Sequence, residues 1–321
     1  MAHSGEPRLI RAEACERAVD PTALIDEIAR GFVAYSNGRA RVPPVGHLGF
    51  THPVGDLHIK YGHVEGEDVF VIKMATGFPG NVSQGLPTGD GAILLFARQT
   101  GLLRAVLLDQ GRLTDIRTAA AGAVAARTLA HREVRRIGIL GGGVQARLQL
   151  RMLGRVTRCR DVMIWNRTRT RAEMLATHAG SEGYRVTVAS SAVEVAEASD
   201  LLVTATAARE PLFPASAVRA GTHVTAVGAD APGKQELDPA LFARADVVVV
   251  DSRAQCADHG ELAHALAAGA ITMDRVRELG EVLADGSRGR RSDDAITICD
   301  LTGVAVQDIV VAQHVLRRAP V

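Results

Sequence analysis

The chain has 321 residues, 47% of them hydrophobic, and 37 basic against 36 acidic side chains, for a net charge of +1. Such a length suits two domains with sizeable cores, and the charge balance excludes the basic surface that a nucleic-acid binder needs. No apolar run approaches the ~20 residues that span a bilayer, and the N-terminal stretch lacks the apolar centre of a signal peptide, so a soluble, cytoplasmic protein with neither nucleic-acid nor membrane partner is expected.

In chain order, "DPTALIDEIARGFVAYSNGR" reads as an amphipathic helix, with an Asp-Pro start, apolar Leu24, Ile28, Phe32 and Tyr35, and an Asn-Gly stop. Between Leu57 and Leu108 the period shortens, and "LHIKYGHV", "DVFVIKMAT", "GAILLFAR" and "LLRAVLLD" predict a meandering, largely antiparallel sheet. An alanine-rich helix is expected from Thr114 or Asp115. Strand and helix then alternate through "RRIGIL", "DVMIWN", "YRVTVA", "DLLVTAT", "HVTAV" and "DVVVVD", the rhythm of a doubly wound parallel sheet. The expected fold class is therefore α/β. A Rossmann-type dinucleotide-binding domain (121–295) is joined to an α+β substrate-binding and dimerisation domain (1–120 plus 296–321) that ends in the helix "VAVQDIVVAQHVLRR". The cysteines at 15, 159, 256 and 299 are scattered, with no Cys-x-x-Cys pair and no histidine in ligand spacing, so neither disulfides nor a metal site are expected.

Gly141-Gly142-Gly143-Val144-Gln145-Ala146 is a G-x-G-x-x-A motif between a strand and a helix, where glycines let the backbone approach a pyrophosphate held at the helix N-terminus. The second strand ends in Asn166, Arg167 and Thr168, with no acid to hold an unmodified ribose. Arg167, followed by Arg169 and Arg171, suits a 2′-phosphate and favours NADP(H) over NAD(H). Thr204, Val227 and Gly228, near the ends of later strands, complete the expected cofactor-binding set.

Arginine is the default cation, and only Lys60, Lys73 and Lys234 are lysines. Lys73, in "IKMATGFPGN", and Arg117, in the first turn of the alanine-rich helix, are cations in apolar settings and suggest an anionic ligand. In "HVTAVGADAPGKQELD" the carboxylate of Asp230 follows an apolar run, and its burial there would be costly unless the charge were neutralised or used.

The ordered blocks "IKMATGFPGN", "LTDIRTAAAGAVAA", "IGILGGGVQARLQL", "HVTAVGADAPGKQELD" and "ITICDLTGVAVQD" resemble the signature blocks of the ornithine cyclodeaminase/mu-crystallin family over nearly the whole chain. Their wording is most similar to the branch of ectoine-utilisation cyclodeaminases. The resemblance implies a homodimer paired through the non-nucleotide domain. It also implies an amino or imino acid substrate lying between that domain and the cofactor. Lys73 and Arg117 match the family's binders of the α-carboxylate, and Asp230, working with Lys73, matches its acid-base machinery. "WNRT" at Asn166–Thr168 resembles the NADPH-binding mu-crystallins.

The chain departs from the family in "VPPVGHLGF", where Val45 stands in place of a substrate-binding arginine, and Lys60 is the candidate replacement. The implied activity is hydride transfer at the α-carbon, as an imine reductase or amino-acid dehydrogenase. The alternatives are a cyclodeaminase that releases ammonia with catalytic NAD and, in another class, an NADPH-dependent small-ligand binder. The retained Lys73, Arg117 and Asp230 argue against a pure binder.

Overall fold

The computed structural model describes residues 6–320, so the extreme ends of the expected first domain, residues 1–5 and 321, lie outside the described residues. In chain order it forms β1 (Arg8–Arg11), α1 (Ala12–Ala18), α2 (Pro21–Ser36), β2 (Ala40–Arg41), β3 (Gly46–Thr51), β4 (Val54–Val64), β5 (Val69–Gly77), β6 (Gly89–Ala97), β7 (Leu103–Leu108) and α3 (Arg112–Leu129). There follow β8 (Ile137–Leu140), α4 (Val144–Leu153), β9 (Asp161–Trp165), α5 (Arg169–Ser181), β10 (Arg185–Val188), α6 (Ala192–Ala198), β11 (Leu201–Thr204), β12 (His223–Ala226) and α7 (Ala240–Arg244). The chain continues with β13 (Val247–Val250), α8 (Arg253–Asp258), α9 (Glu261–Ala267), β14 (Val276–Glu278), α10 (Leu279–Ala284), β15 (Thr297–Asp300) and α11 (Ala305–Arg318). Two compact units result, one of residues 1–117 and 305–321, the other of 118–304, with the division falling inside α3.

The first unit is built on a seven-stranded sheet ordered β1-β7-β6-β5-β4-β2, with β3 also paired to β4. Its pairings are antiparallel except that of β1 with β7, a parallel edge too short and too flanked by charge for the sequence pattern to reveal. α2 starts where Asp20 accepts from the amides of Thr22 and Ala23 at 3.0 and 3.1 Å and Pro21 occupies the first turn. It ends at Gly38, whose φ of +79° only glycine adopts without strain. Its stripe of Leu24, Ile28 and Phe32 is fully buried, each contributing on the order of 2 kcal/mol. α11 packs against α2 and across β4 and β5. α3 begins two residues before the expected Thr114 because the carboxylate of Asp109, in the preceding turn, accepts from the Leu113 amide at 3.0 Å and caps it.

The second unit is an eight-stranded, wholly parallel sheet ordered β10-β9-β8-β11-β12-β15-β13-β14. β8, β11 and β12 are buried along their whole length, as strands covered on both faces must be. From β8 the chain winds outward to β9 and β10, then returns to β11 on the other flank of β8, which sets the topological switch point at the carboxyl ends of β8 and β11. Residues 296–304 were expected in the first domain but belong here. β15, fully buried, inserts between β12 and β13, so only α11 returns to the first unit. Among the described residues no helix is long and apolar enough to cross a membrane.

Candidate active site

At the switch point of the second unit the glycines divide their tasks. Gly141 has φ +135°, and a Cβ there would lie 2.5 Å from the carbonyl oxygen of Ala205, so the exit of β11 requires glycine. A Cβ on Gly142 would press on the Arg171 backbone, whereas one on Gly143 would meet nothing within 4 Å. Gly143 is also the N-cap of α4 and offers no side-chain cap, which leaves the helix's first amides for an anion. Gly142, Gly143, Asn166, Arg167, Thr168 and Arg171 line a cleft of about 330 Å³ that extends to Ala205–Ala208. Val144 is exposed and Gln145 half-buried at the start of α4. Asn166 Nδ2 donates to the Thr168 carbonyl at 3.0 Å, and Arg169 turns away along α5 to pair with Glu173 at 2.8 Å, leaving Arg167 and Arg171 on the cleft. These features fit a dinucleotide: a glycine cradle open on one side, uncapped amides and cations at the end of β9.

The exits of β11 and β12 are tied by a residue the sequence reading did not single out. Glu236 is fully buried and accepts from Thr204 Oγ1 (2.7 Å), from the amide and hydroxyl of Thr206 (2.6 and 2.7 Å) and from the Gly228 amide (2.9 Å). Burial pushes its carboxyl above the usual range, against the pull of those donors. A Cβ on Gly228 would stand 2.5 Å from the Glu236 carboxylate, so glycine is needed for this approach.

Thr204, expected to bind cofactor, is instead fully buried with its hydroxyl committed to Glu236. Its side chain is a strut and not part of a binding surface. Val227 is buried as well, its amide donating to the Thr204 carbonyl at 3.0 Å. Behind Glu236, the Glu261 carboxylate receives the Glu236 and Leu237 amides at 2.7 and 3.0 Å, and Asp300 receives the Leu262 amide at 2.9 Å. Burial and neighbouring carboxylates raise Glu261 to about 9 and Asp300 to about 8.

Asp230 is not the buried acid of this segment. Its side chain is 54% exposed and pairs with Lys234 one turn on, at 2.5 Å. The costly burial anticipated at Asp230 falls six residues later, on Glu236, where four donors offset it.

The first unit brings together the remaining expected residues. Lys73 and Arg117 are each 5% exposed, and both donate to the same oxygen, Oδ1 of Asp308, at 3.0 and 3.1 Å. Gln307 Oε1 accepts from Arg117, while Asp308 Oδ2 and Gln307 Nε2 are buried without a hydrogen-bond partner. Burial alone would raise Asp308, but the charges of Arg117, Lys73 and Lys60 outweigh it and hold the carboxyl at about 2. Burial and the nearby guanidinium lower Lys73, opposed by Asp308.

Lys60 stands directly across the β4–β5 ladder from Lys73, on the same face of the sheet, while Val45 sits partly exposed just before β3. Like charges in this register repel, and Asp308 offsets them. The sequence reading overlooked Asp308, although it lies in the quoted block "DLTGVAVQD" as the acid opening α11.

The sequence pattern of the ornithine cyclodeaminase/mu-crystallin family matches residues 7–320. The chain is 43% identical over 281 residues to an uncharacterized cyclodeaminase of Sinorhizobium fredii, covering 87% of this chain and 85% of the relative. An archaeal alanine dehydrogenase, solved as a dimer with bound NAD, superposes with a TM-score of 0.91 at 34% identity, covering 98% of this chain and 96% of that one. The Δ1-pyrroline-2-carboxylate reductase of Thermococcus litoralis, solved with NADH and L-proline, superposes with a TM-score of 0.90 at 28% identity and 97% coverage of both chains. With the family pattern matched from residue 7 to residue 320 and both units reproduced in solved relatives, the chain belongs to the ornithine cyclodeaminase/mu-crystallin family.

Proposed function

We propose that this protein is a nicotinamide-dependent oxidoreductase that reduces an imino acid, or oxidises the corresponding amino acid, at its α-carbon. The observation that carries the reading is the buried cluster in which Lys73 and Arg117 share one oxygen of Asp308. Two desolvated cations share one oxygen of Asp308, Lys60 stands across the ladder from Lys73, and Asp109, the other buried carboxylate near Lys73, is engaged by the Leu113 amide; such cations suit a substrate α-carboxylate. The unpartnered Gln307 Nε2 is a further donor for the same group.

When bound, the cofactor supplies or accepts the hydride at its nicotinamide ring. The chain's own residues handle the rest. Arg117, Lys73 and Lys60 fix the carboxylate, which restricts how the α-carbon is presented. Asp230, exposed and tethered to Lys234, exchanges a proton with the substrate nitrogen or with a water attacking the imine. Lys73, lowered by burial, is a second group able to share a proton with the substrate. Glu236 fixes Gly228 and so sets where the loop carrying Asp230 departs from β12. Gly141, Gly143, Val144, Gln145, Asn166, Arg167, Thr168, Val227 and Gly228 form the cofactor side, with Thr204 acting through Glu236.

Arg167 on the cleft, with no acid at the end of β9, favours NADP(H), whereas the two solved relatives carry NAD and NADH. A homodimer is supported by the sheet face of the first unit opposite α11. By register Leu48 and Phe50 share this face with Leu57 and Tyr61, and Leu48 is 54% exposed.

The test is a panel of cyclic imines, and of keto acids with ammonia or amines, each incubated with NADPH or NADH, alongside diamino acids with catalytic NAD. Net oxidation of the reduced cofactor by one imine supports the proposal. Ammonia release from a diamino acid without net cofactor change would replace it with the cyclodeaminase reading, for which the 43% identical relative is the motive. Tight cofactor binding with no turnover on any substrate would leave the small-ligand-binder reading.

A further inference from the structure

The face of the first sheet that carries Lys60 and Lys73 continues along β4 into three side chains that the proposed hydride transfer does not use. His58 and Asp56 precede Lys60 at two-residue steps, so all three project from the same face of the strand. On β3, His47 stands directly opposite His58, and Gly49 opposite Asp56. Register alone therefore gathers two imidazoles and a carboxylate. Their potential ligand atoms all lie within 4.8 Å of one another. His58 Nε2 and Asp56 Oδ2 are 3.6 Å apart, and the rings of His47 and His58 tilt toward each other with centroids 4.9 Å apart.

Glycines flank the carboxylate on both neighbouring strands: Gly49 on β3 and Gly77 on β5, where a Cβ would come within 2.8 Å of Asp56 Oδ1. The side chains of Asp56 and His58 are each 43% exposed, so the cluster is open to solvent.

We propose that His47, Asp56 and His58 bind one divalent transition-metal ion. Ligand atoms about 2.0–2.2 Å from a tetrahedral ion stand roughly 3.3–3.6 Å from each other, a spacing the His58–Asp56 pair already has, and all the candidate ligand atoms, His47 included, lie within 4.8 Å of one another. Two imidazoles and one carboxylate suit zinc, cobalt, nickel or iron(II); magnesium and calcium prefer all-oxygen sets. Three protein donors leave at least one position for water or a ligand. Lys60, the next residue on this face, lies about 7 Å along the strand. Its charge opposes the cation, and Asp56 supplies the compensating one. The ion would sit beside the cations proposed to hold the substrate carboxylate, although the metal site does not depend on that proposal.

The experiment uses the full-length chain without an affinity tag, stripped with a chelator. Zinc binding is measured by calorimetry, and cobalt(II) binding by its visible absorption. The expected result is one zinc ion per chain, intense cobalt bands at low coordination number, and no binding of magnesium. His47→Ala, His58→Ala and Asp56→Asn should each weaken zinc by more than about tenfold. His63→Ala, on the opposite face of the same strand, should not. Asp56→Asn preserves shape and keeps the test valid if a histidine variant misfolds, as read by circular dichroism. Absence of saturable zinc binding by the unsubstituted chain, or equal binding by Asp56→Asn, would overturn the site.

Discussion

Asp308→Asn isolates the electrostatic part of the Lys73–Asp308–Arg117 cluster. The amide keeps an oxygen to accept from both cations, so the perturbation removes one charge and little volume. The carboxyl is held at about 2 against an ordinary 3.8. At 1.36 kcal/mol per pH unit, that depression stabilises the folded state by on the order of 2 kcal/mol at neutral pH. Because the folded pKa is depressed, this stability is fully present above the unfolded value and is lost as pH falls through the folded one. The difference between the two proteins should thus be flat above about pH 5 and shrink to about half by pH 3. Asp308→Ala removes the acceptor too and leaves two buried cations uncompensated, which costs about 3–5 kcal/mol. The chain folds as two units, so hydrogen exchange of peptides spanning β5 and α11 during urea unfolding reads the first unit separately. A difference below about 0.5 kcal/mol at neutral pH, or one that does not change with acid, would refute the reasoning.

Arg167→Ala should weaken NADPH far more than NADH in fluorescence titrations, and equal losses would remove the 2′-phosphate role. Lys60→Met should raise the substrate KM several-fold with cofactor affinity intact, and an unchanged KM would detach Lys60 from the substrate site. Asp300, raised to about 8 by burial and by the charges of Asp251 and Glu236, gives stability that is complete below its ordinary 3.8 and declines as pH rises toward its folded value. Asp300→Asn can still accept from the Leu262 amide, so the second unit should lose less stability between about pH 5 and pH 8 than the unsubstituted protein. Parallel stability curves would contradict that.

The parts legible in the sequence were those whose signal is local. The strand runs "IGIL" and "VVVV" sit in a parallel sheet because such uninterrupted apolar segments must be covered on both faces. The glycine loop was legible because φ and close approach at Gly141 admit no other residue. The acids that organise the two clusters were not legible, since Glu236 and Asp308 are ordinary in their own segments. Their partners lie 32 residues away at Thr204 in one case and 235 residues away at Lys73 in the other. Asp230 drew attention because it follows a strand, yet the turn at Gly228 turns it toward solvent and passes the burial on to Glu236. β15 was misassigned because a strand that enters a sheet late, between two earlier neighbours, looks in sequence like a return to the first domain.

The central claim is hydride transfer to the α-carbon of an imino acid, with Asp230 handling the proton. Its most direct test is reduction of the best imine of the panel with cofactor carrying deuterium at the transferring position of the nicotinamide, followed by NMR of the product. The account predicts one deuterium at the α-carbon with the unsubstituted protein. With Asp230→Asn it predicts no product, although the cofactor still binds. Product lacking deuterium at that carbon, or near-normal turnover by Asp230→Asn, would contradict it.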